Sequence, residues 1–184
     1  VILNVEADHL DFFKDIDDIR HSFKLFAEKL PEDGLLVINK DIKHSEYFTQ
    51  ALKCRVVTFG HEKDADYTAN FISYDKFAHP SYTLFYKGEE LAKVELGVTG
   101  EHNIYNSLAA IAVARSLDIP MEVILRGLKR FTGTDRRFQK KGSVNGFTII
   151  DDYAHHPQEI AATIEAAKKY PHRKLWIAFQ PHTY

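Results

Sequence analysis

Three short runs rich in β-branched and apolar residues, Val1 to Val5, Leu35 to Asn39 and Arg55 to Phe59, are separated by stretches of helical spacing. Between the first two, an apolar stripe of Ile16, Ile19, Phe23, Phe26, Ala27 and Leu30 starts after Asp15 and ends at the turn-forming Pro31-Glu32-Asp33-Gly34. Ser45 to Lys53 reads as a shorter helix before the third run. Strands in a parallel sheet cannot be joined by tight turns and need crossovers that lie on a sheet face. The alternation therefore predicts an α/β fold with a parallel sheet.

Farther along the pattern changes. Tyr82 to Tyr86 alternates, Lys87-Gly88-Glu89 supplies a turn, and Leu91 to Val98 returns, so an antiparallel hairpin appended to the sheet is expected. A helix carrying Ile104, Leu108, Ile111, Ala112 and Leu117 follows Gly100, and Pro120 opens another that runs to Phe131. The polar Thr132-Gly133-Thr134-Asp135-Arg136-Arg137 reads as a linker between domains. Phe147 to Ile150, a helix from Pro157 to Tyr170, and Leu175 to Phe179 then predict the start of a second β-α-β unit. Buried-strand signals at both ends lead us to expect a piece of a longer chain, in two parts, 1–131 and 132–184.

Charge excludes some functions. With 24 Lys plus Arg against 26 Asp plus Glu, no field of one sign recruits nucleic acid or an anionic membrane surface. No apolar run reaches the roughly 20 residues that cross a bilayer. Cys54 is the only cysteine, so neither an internal disulfide nor a cysteine zinc site can form.

Four polar clusters carry the chemistry. Glu6-Ala7-Asp8-His9 follows the opening strand, at the carboxyl edge where open α/β sheets bind ligands. These are also ligand types that a divalent cation accepts, although Asp8 could equally cap a turn. Asn103 and Asn106 lie three apart on one helix face, each amide able to donate and accept, as an adenine edge requires; asparagine also caps helices. Arg136-Arg137-Phe138 in the linker places paired guanidinium groups where they could meet phosphate or carboxylate. Asp151-Asp152-Tyr153-Ala154-His155-His156-Pro157 packs two carboxylates, a phenol and two imidazoles into a strand-to-helix turn.

Taken in order, Asn4 to Asp11, Gly100-Glu101-His102-Asn103-Ile104-Tyr105-Asn106, Arg136-Arg137-Phe138, Asp151 to Pro157 and Phe179-Gln180-Pro181-His182 resemble the motifs of the Mur ligase family. The resemblance spans the chain. It implies the later part of a central ATP-binding domain, a parallel sheet with an appended antiparallel hairpin, followed by the start of a Rossmann-like C-terminal domain. No Gly-Lys-Thr or Gly-Lys-Ser phosphate loop occurs in the sequence, so the chain is not expected to catalyse alone.

The implied reaction is the ATP- and Mg2+-dependent joining of L-alanine to UDP-N-acetylmuramate during cytoplasmic peptidoglycan precursor synthesis, with no nucleic acid or membrane partner. By the same resemblance, His9 is a magnesium ligand and Asn103 and Asn106 meet adenine. Arg137 reaches the phosphates, Asp152 binds the nucleotide, and His155 with Tyr153 faces the alanine and the acyl phosphate. Sibling ligases carry a carbamylated lysine after the Asp-His motif; Lys24 lies in a comparable stretch, and no modification is assigned to it.

Three rival readings stay open on the sequence. A ligase of the same family recycles a murein tripeptide onto UDP-N-acetylmuramate and shares the Asp-Asp-x-x-His-His-Pro loop. A nucleotide-binding module without catalysis would keep the same fold. A zinc metallohydrolase would use several of the ten histidines.

Overall fold

A computed structural model describes residues 1–181. The first unit is a five-stranded sheet in sequence order, β1 (Leu35–Asn39), β2 (Arg55–Phe59), β3 (Tyr67–Tyr74), β4 (Pro80–Tyr86) and β5 (Glu89–Glu95). β1 and β2 run parallel in register from Leu35 opposite Arg55 to Asn39 opposite Phe59. The expected opening strand is reduced to one parallel bridge, Ile2 to Ile38, because only Ile2 exchanges backbone bonds, with Val37 and Asn39.

The expected hairpin is a three-stranded meander. β3 joins β2 through Phe59 and Tyr67 and then pairs antiparallel with β4, which pairs with β5. Tyr67 to Tyr74 lacks an alternating signal because the strand is buried only at its start and exposed from Asn70 to Ser73, where the register shifts.

α1 (Ile16–Ala27) is capped by the Asp15 carboxylate, which accepts from Asp17 N and Asp18 N at 3.0 Å each. Its Phe23 and Ala27 pack with Ile2, Leu36 and Ile38, and Ile19 is buried, whereas Phe26 is exposed, one helical step off that line. α2 is a single turn, Glu46–Thr49, shorter than the sequence predicts.

α3 (His102–Ser116) crosses the opposite face over β1, β2 and β3 and buries Ile104, Leu108, Ile111 and Ala112 against Val57, Phe59 and Leu84. α4 (Met121–Arg130) packs on β5 and α3. Gly97 makes that packing possible. A Cβ there would stand 2.5 Å from the Phe131 carbonyl oxygen and 2.6 Å from that of Lys129.

The second unit is an antiparallel pair, β6 (Gln139–Val144) and β7 (Phe147–Asp151), followed by α5 (Pro157–Lys169). β6 is polar and exposed, which hides it from hydrophobic patterning. Leu175 to Phe179 is extended and exposed, with Trp176 at 73%, and forms no strand. The predicted β-α-β unit is therefore corrected to a hairpin plus helix among the described residues, since a strand needs a neighbour to complete its hydrogen bonds and Leu175 to Phe179 has none. His182 lies outside the described residues.

Candidate functional site

Gly100 brings the first unit's motif into place. It adopts φ +103°, and a Cβ would meet His102 Cε1 at 2.6 Å and Ala166 of α5 at 3.4 Å. The left-handed backbone and the His102 ring require glycine there, while α5 lies at ordinary contact distance. From there Asn103 and Asn106 face a cleft of about 110 Å³ lined also by Leu96, Val98, Leu128 and Phe131.

The two amides are ordered by hydrogen bonds. Asn103 Nδ2 donates to Thr99 O at 2.8 Å and lies 3.1 Å from His102 Nε2, while Asn106 Nδ2 donates to Asn103 Oδ1 at 3.0 Å. The shared helix face read from the sequence is therefore a hydrogen-bonded pair. An apolar slot edged by oriented amides suits a flat heterocycle with polar edges.

The Asp151 to His156 turn is brought to the same end of α3. Asp152 Oδ2 accepts from Phe138 N and Oδ1 from Ala154 N, each at 2.8 Å, so one carboxylate ties the linker to the loop. Arg137 lies between Arg136 and Phe138, which adopt φ +59° and +46°. Paired left-handed conformations are uncommon for side-chain-bearing residues, and such strain gathers at functional sites. Arg137 Nη1 pairs with Glu159 Oε1 at 3.2 Å.

Tyr153 N donates to Arg136 O at 2.8 Å, and the Tyr153 ring lies 4.5 Å beneath the Arg136 guanidinium. His155 stands edge-on to that ring at 5.2 Å. Its Nδ1 is 3.1 Å from Tyr153 O and 3.5 Å from Glu159 Oε2. Two acceptors at Nδ1 favour the tautomer with the proton there and the lone pair on Nε2.

His102 sits among these charges, which the sequence reading did not assign. Desolvation holds its pKa below the ordinary 6.5; the Asp152 carboxylate opposes that, and Arg137 reinforces it. Glu159 was also missed. Burial pushes its carboxyl up, but the backbone N–H groups of His155 and His156 together with Arg137 outweigh burial and leave it below the ordinary value. Its signal is its place in the third position of a helix whose N-cap is His156.

His9 adopts φ +51°, is exposed, and sits 3.8 Å from Asp8 Oδ2. Among the described residues, no three His, Cys, Asp or Glu side chains gather as a metal cage. Magnesium keeps several waters and takes one or two carboxylates beside phosphate oxygens, so in this loop Glu6 and Asp8 offer the oxygens it prefers and His9 an imidazole nitrogen. The loop is not isolated. Ala7 O lies 3.3 Å from His156 Nε2, and Glu6 Oε2 is 3.6 Å from His156 Nδ1, so the first and last polar clusters of the sequence meet in space. No helix among the described residues is long and apolar enough to cross a membrane.

The Mur ligase middle domain matches residues 1–114, more than half of the chain, and the Mur ligase glutamate ligase domain matches residues 136–183. The chain belongs to the Mur ligase family. Over its whole length it is 58% identical to a UDP-N-acetylmuramate--L-alanine ligase from Lachnospira eligens and 51% identical to one from Agathobacter rectalis. It spans 40% of the length of each. The crystal structure of the UDP-N-acetylmuramate-alanine ligase MurC from Thermotoga maritima matches 91% of this chain and 37% of that one, at 28% identity and a TM-score of 0.76.

Proposed function

We propose that this chain is part of an ATP-dependent ligase that joins L-alanine to the lactyl carboxylate of UDP-N-acetylmuramate in cytoplasmic peptidoglycan precursor synthesis. The observation that carries the reading is convergence. The Asn103–Asn106 cleft, Arg137 and the Asp152 to His155 turn come from separated parts of the sequence and gather around the start of α3, and the loop that carries His9 touches that turn through Ala7 and His156. The 58% identity to a named L-alanine ligase supports the choice of amine over a murein tripeptide. We assign residues 1–131 to the later part of the ATP-binding domain and 132–184 to the linker and first part of the ligase domain, a division that the two domain matches support.

In this reaction a lactyl carboxylate oxygen attacks the γ-phosphorus of ATP, and the bond to the β-phosphate oxygen breaks to release ADP. The resulting acyl phosphate is attacked at carbon by the alanine amine; phosphate leaves and the nitrogen gives up a proton. Asn103 and Asn106 bind the adenine edge, with the apolar cleft walls against the ring faces. His9 would hold magnesium, which would supply positive charge to neutralise the transferring phosphoryl group. Asp152 orients the nucleotide from the second unit.

Arg137 exchanges Glu159 for phosphoryl oxygens and stabilises the charge that develops during transfer. His155, its Nδ1–H directed at Tyr153 O, presents Nε2 to accept the amine proton, and Tyr153 fixes the ring that does so. Closure of the second unit over the first excludes water from a hydrolysable acyl phosphate.

The test is the full-length protein supplied with Mg2+, ATP and UDP-N-acetylmuramate, with phosphate release followed after adding either L-alanine or the murein tripeptide. Release dependent on L-alanine supports the assignment. Release with the tripeptide alone transfers it to the recycling ligase, and release with neither amine leaves the nucleotide-binding module.

A further inference from the structure

The two units are fastened together at both ends of one helix. α5 has 13 residues and is therefore about 20 Å long. At its C-terminal end Lys169 Nζ donates to Tyr74 OH at 3.0 Å and to Glu101 Oε2 at 3.1 Å, and lies 4.2 Å from the Tyr74 ring centroid. Tyr170 adds ring contacts to Phe77 of the first unit and to Phe138. In the middle Ala166, 2% exposed, lies against Gly100. At the N-terminal end, among the described residues, His156 reaches the first unit at Ala7 and Glu6.

The His156 imidazole uses its two nitrogens on different units. Nδ1 accepts from Gln158 N at 3.4 Å and so caps its own helix, while Nε2–H donates to Ala7 O at 3.3 Å in the loop that carries His9. Both contacts are satisfied by one neutral tautomer. Glu6 stands beside the ring, and the pair is largely enclosed, with side-chain exposures of 22% and 21%.

We infer that His156 is a positioning residue, a latch that sets the distance between the His9 loop and the Asp152 to His155 turn and so holds the two halves of the site together. This rests on the ligase reading for its kinetic consequence but not for its geometry. Lys169, Tyr170 and Ala166 hold the C-terminal half of α5. Without the latch its first turns move away from the His9 loop and carry the His155 end with them.

His156→Asn in the full-length protein separates the latch from the cap. Asparagine is among the best N-cap residues, so α5 stays capped, but its shorter side chain cannot reach Ala7 or Glu6. Two measurements decide. With Mg-ATP present, small-angle X-ray scattering of the variant should shift to a larger radius of gyration than wild type. The turnover number should fall about three- to tenfold, the worth of one hydrogen bond, with KM for ATP within about twofold of wild type. Scattering superposable on wild type, or an unchanged turnover number, overturns the latch. If the wild-type protein forms no amide bond, the functional reading fails on its own and the scattering still decides the latch.

Discussion

Arg137 and Glu159 face each other at 3.2 Å across the junction of linker and helix, and the same carboxylate accepts from the backbone N–H of His155 at 3.2 Å and of His156 at 3.4 Å. One acidic side chain therefore holds both Arg137, proposed to meet phosphate, and the loop proposed to meet the amine. On that reading Arg137 leaves Glu159 for a phosphoryl group, which offers more oxygens and more charge than a single carboxylate.

Arg137→Ala in the full-length ligase should accordingly lower the turnover number by about a hundredfold while changing KM for ATP by about threefold or less, since the contact forms as charge develops rather than on binding. Steady-state kinetics at saturating substrates measure it. Equal losses in turnover and ATP affinity would instead place Arg137 in ground-state binding.

His9→Ala should raise the magnesium concentration for half-maximal activity about tenfold, corresponding to about 1.4 kcal/mol for one lost ligand. A magnesium titration at fixed ATP reads it directly. An unchanged half-saturation removes His9 from the metal shell.

Glu159 gives the junction a pH dependence of definite sign. Its carboxyl is held below the ordinary 4.5 in the folded state, so its contribution is present above that pH and is lost as pH falls through the lower folded value. Melting temperatures of wild type and Glu159→Gln should differ most above pH 4.5 and converge on acidification. A gap that stays constant through that range assigns the stabilisation to something other than the charge.

Much of this architecture is legible in the residues themselves. β1, β2 and α3 announce themselves because their burial is one-sided or complete, and Asp15 and Pro120 mark helix starts by chemistry that is local in sequence. β3 and β6 are hidden for the opposite reason: their exposed stretches carry no alternation, and pairing with β4 and β7 rather than propensity makes them strands. Leu175 to Phe179 errs the other way, a strong strand signal with no partner beside it.

The motifs single out candidate site residues because polar groups cluster where burial does not require them. They do not reveal contacts between residues more than a hundred positions apart. Nothing in Glu6-Ala7 or His156 foretells that they touch, and Glu159 reads as an ordinary helix carboxylate until Arg137 is beside it.

The buried pair of Tyr82 and Ser107 separates two costs that are easily confused. Their hydroxyls are 2.6 Å apart, and Ser107 spends its own proton on Ile104 O at 2.6 Å, so Tyr82 is the donor. Burial, partly offset by Ser107, pushes the phenol pKa well up and keeps it neutral. Ser107→Ala leaves a buried donor without an acceptor and should cost about 2 kcal/mol, whereas Tyr82→Phe leaves Ser107 bonded and should cost about 1 kcal/mol. Denaturant midpoints of the two variants rank them.

Gly97 and Gly127 flank the same cleft and should respond in opposite directions to the same substitution. At Gly97 the incoming methyl meets the backbone oxygens of Phe131 and Lys129 at 2.5 and 2.6 Å, neither of which can rotate aside. The end of α4 must move, and Leu128 and Phe131, which wall the cleft, move with it. Gly97→Ala should cost about 2 kcal/mol and raise KM for ATP. Gly127 lies within α4 with no atom within 4 Å of an added Cβ, so Gly127→Ala should stabilise by about 0.5–1 kcal/mol through helix propensity and leave KM unchanged. Denaturation and ATP kinetics on both variants test the pair, and a Gly97→Ala protein as stable as wild type would mean that the α4 end is looser than its contacts with β5 imply.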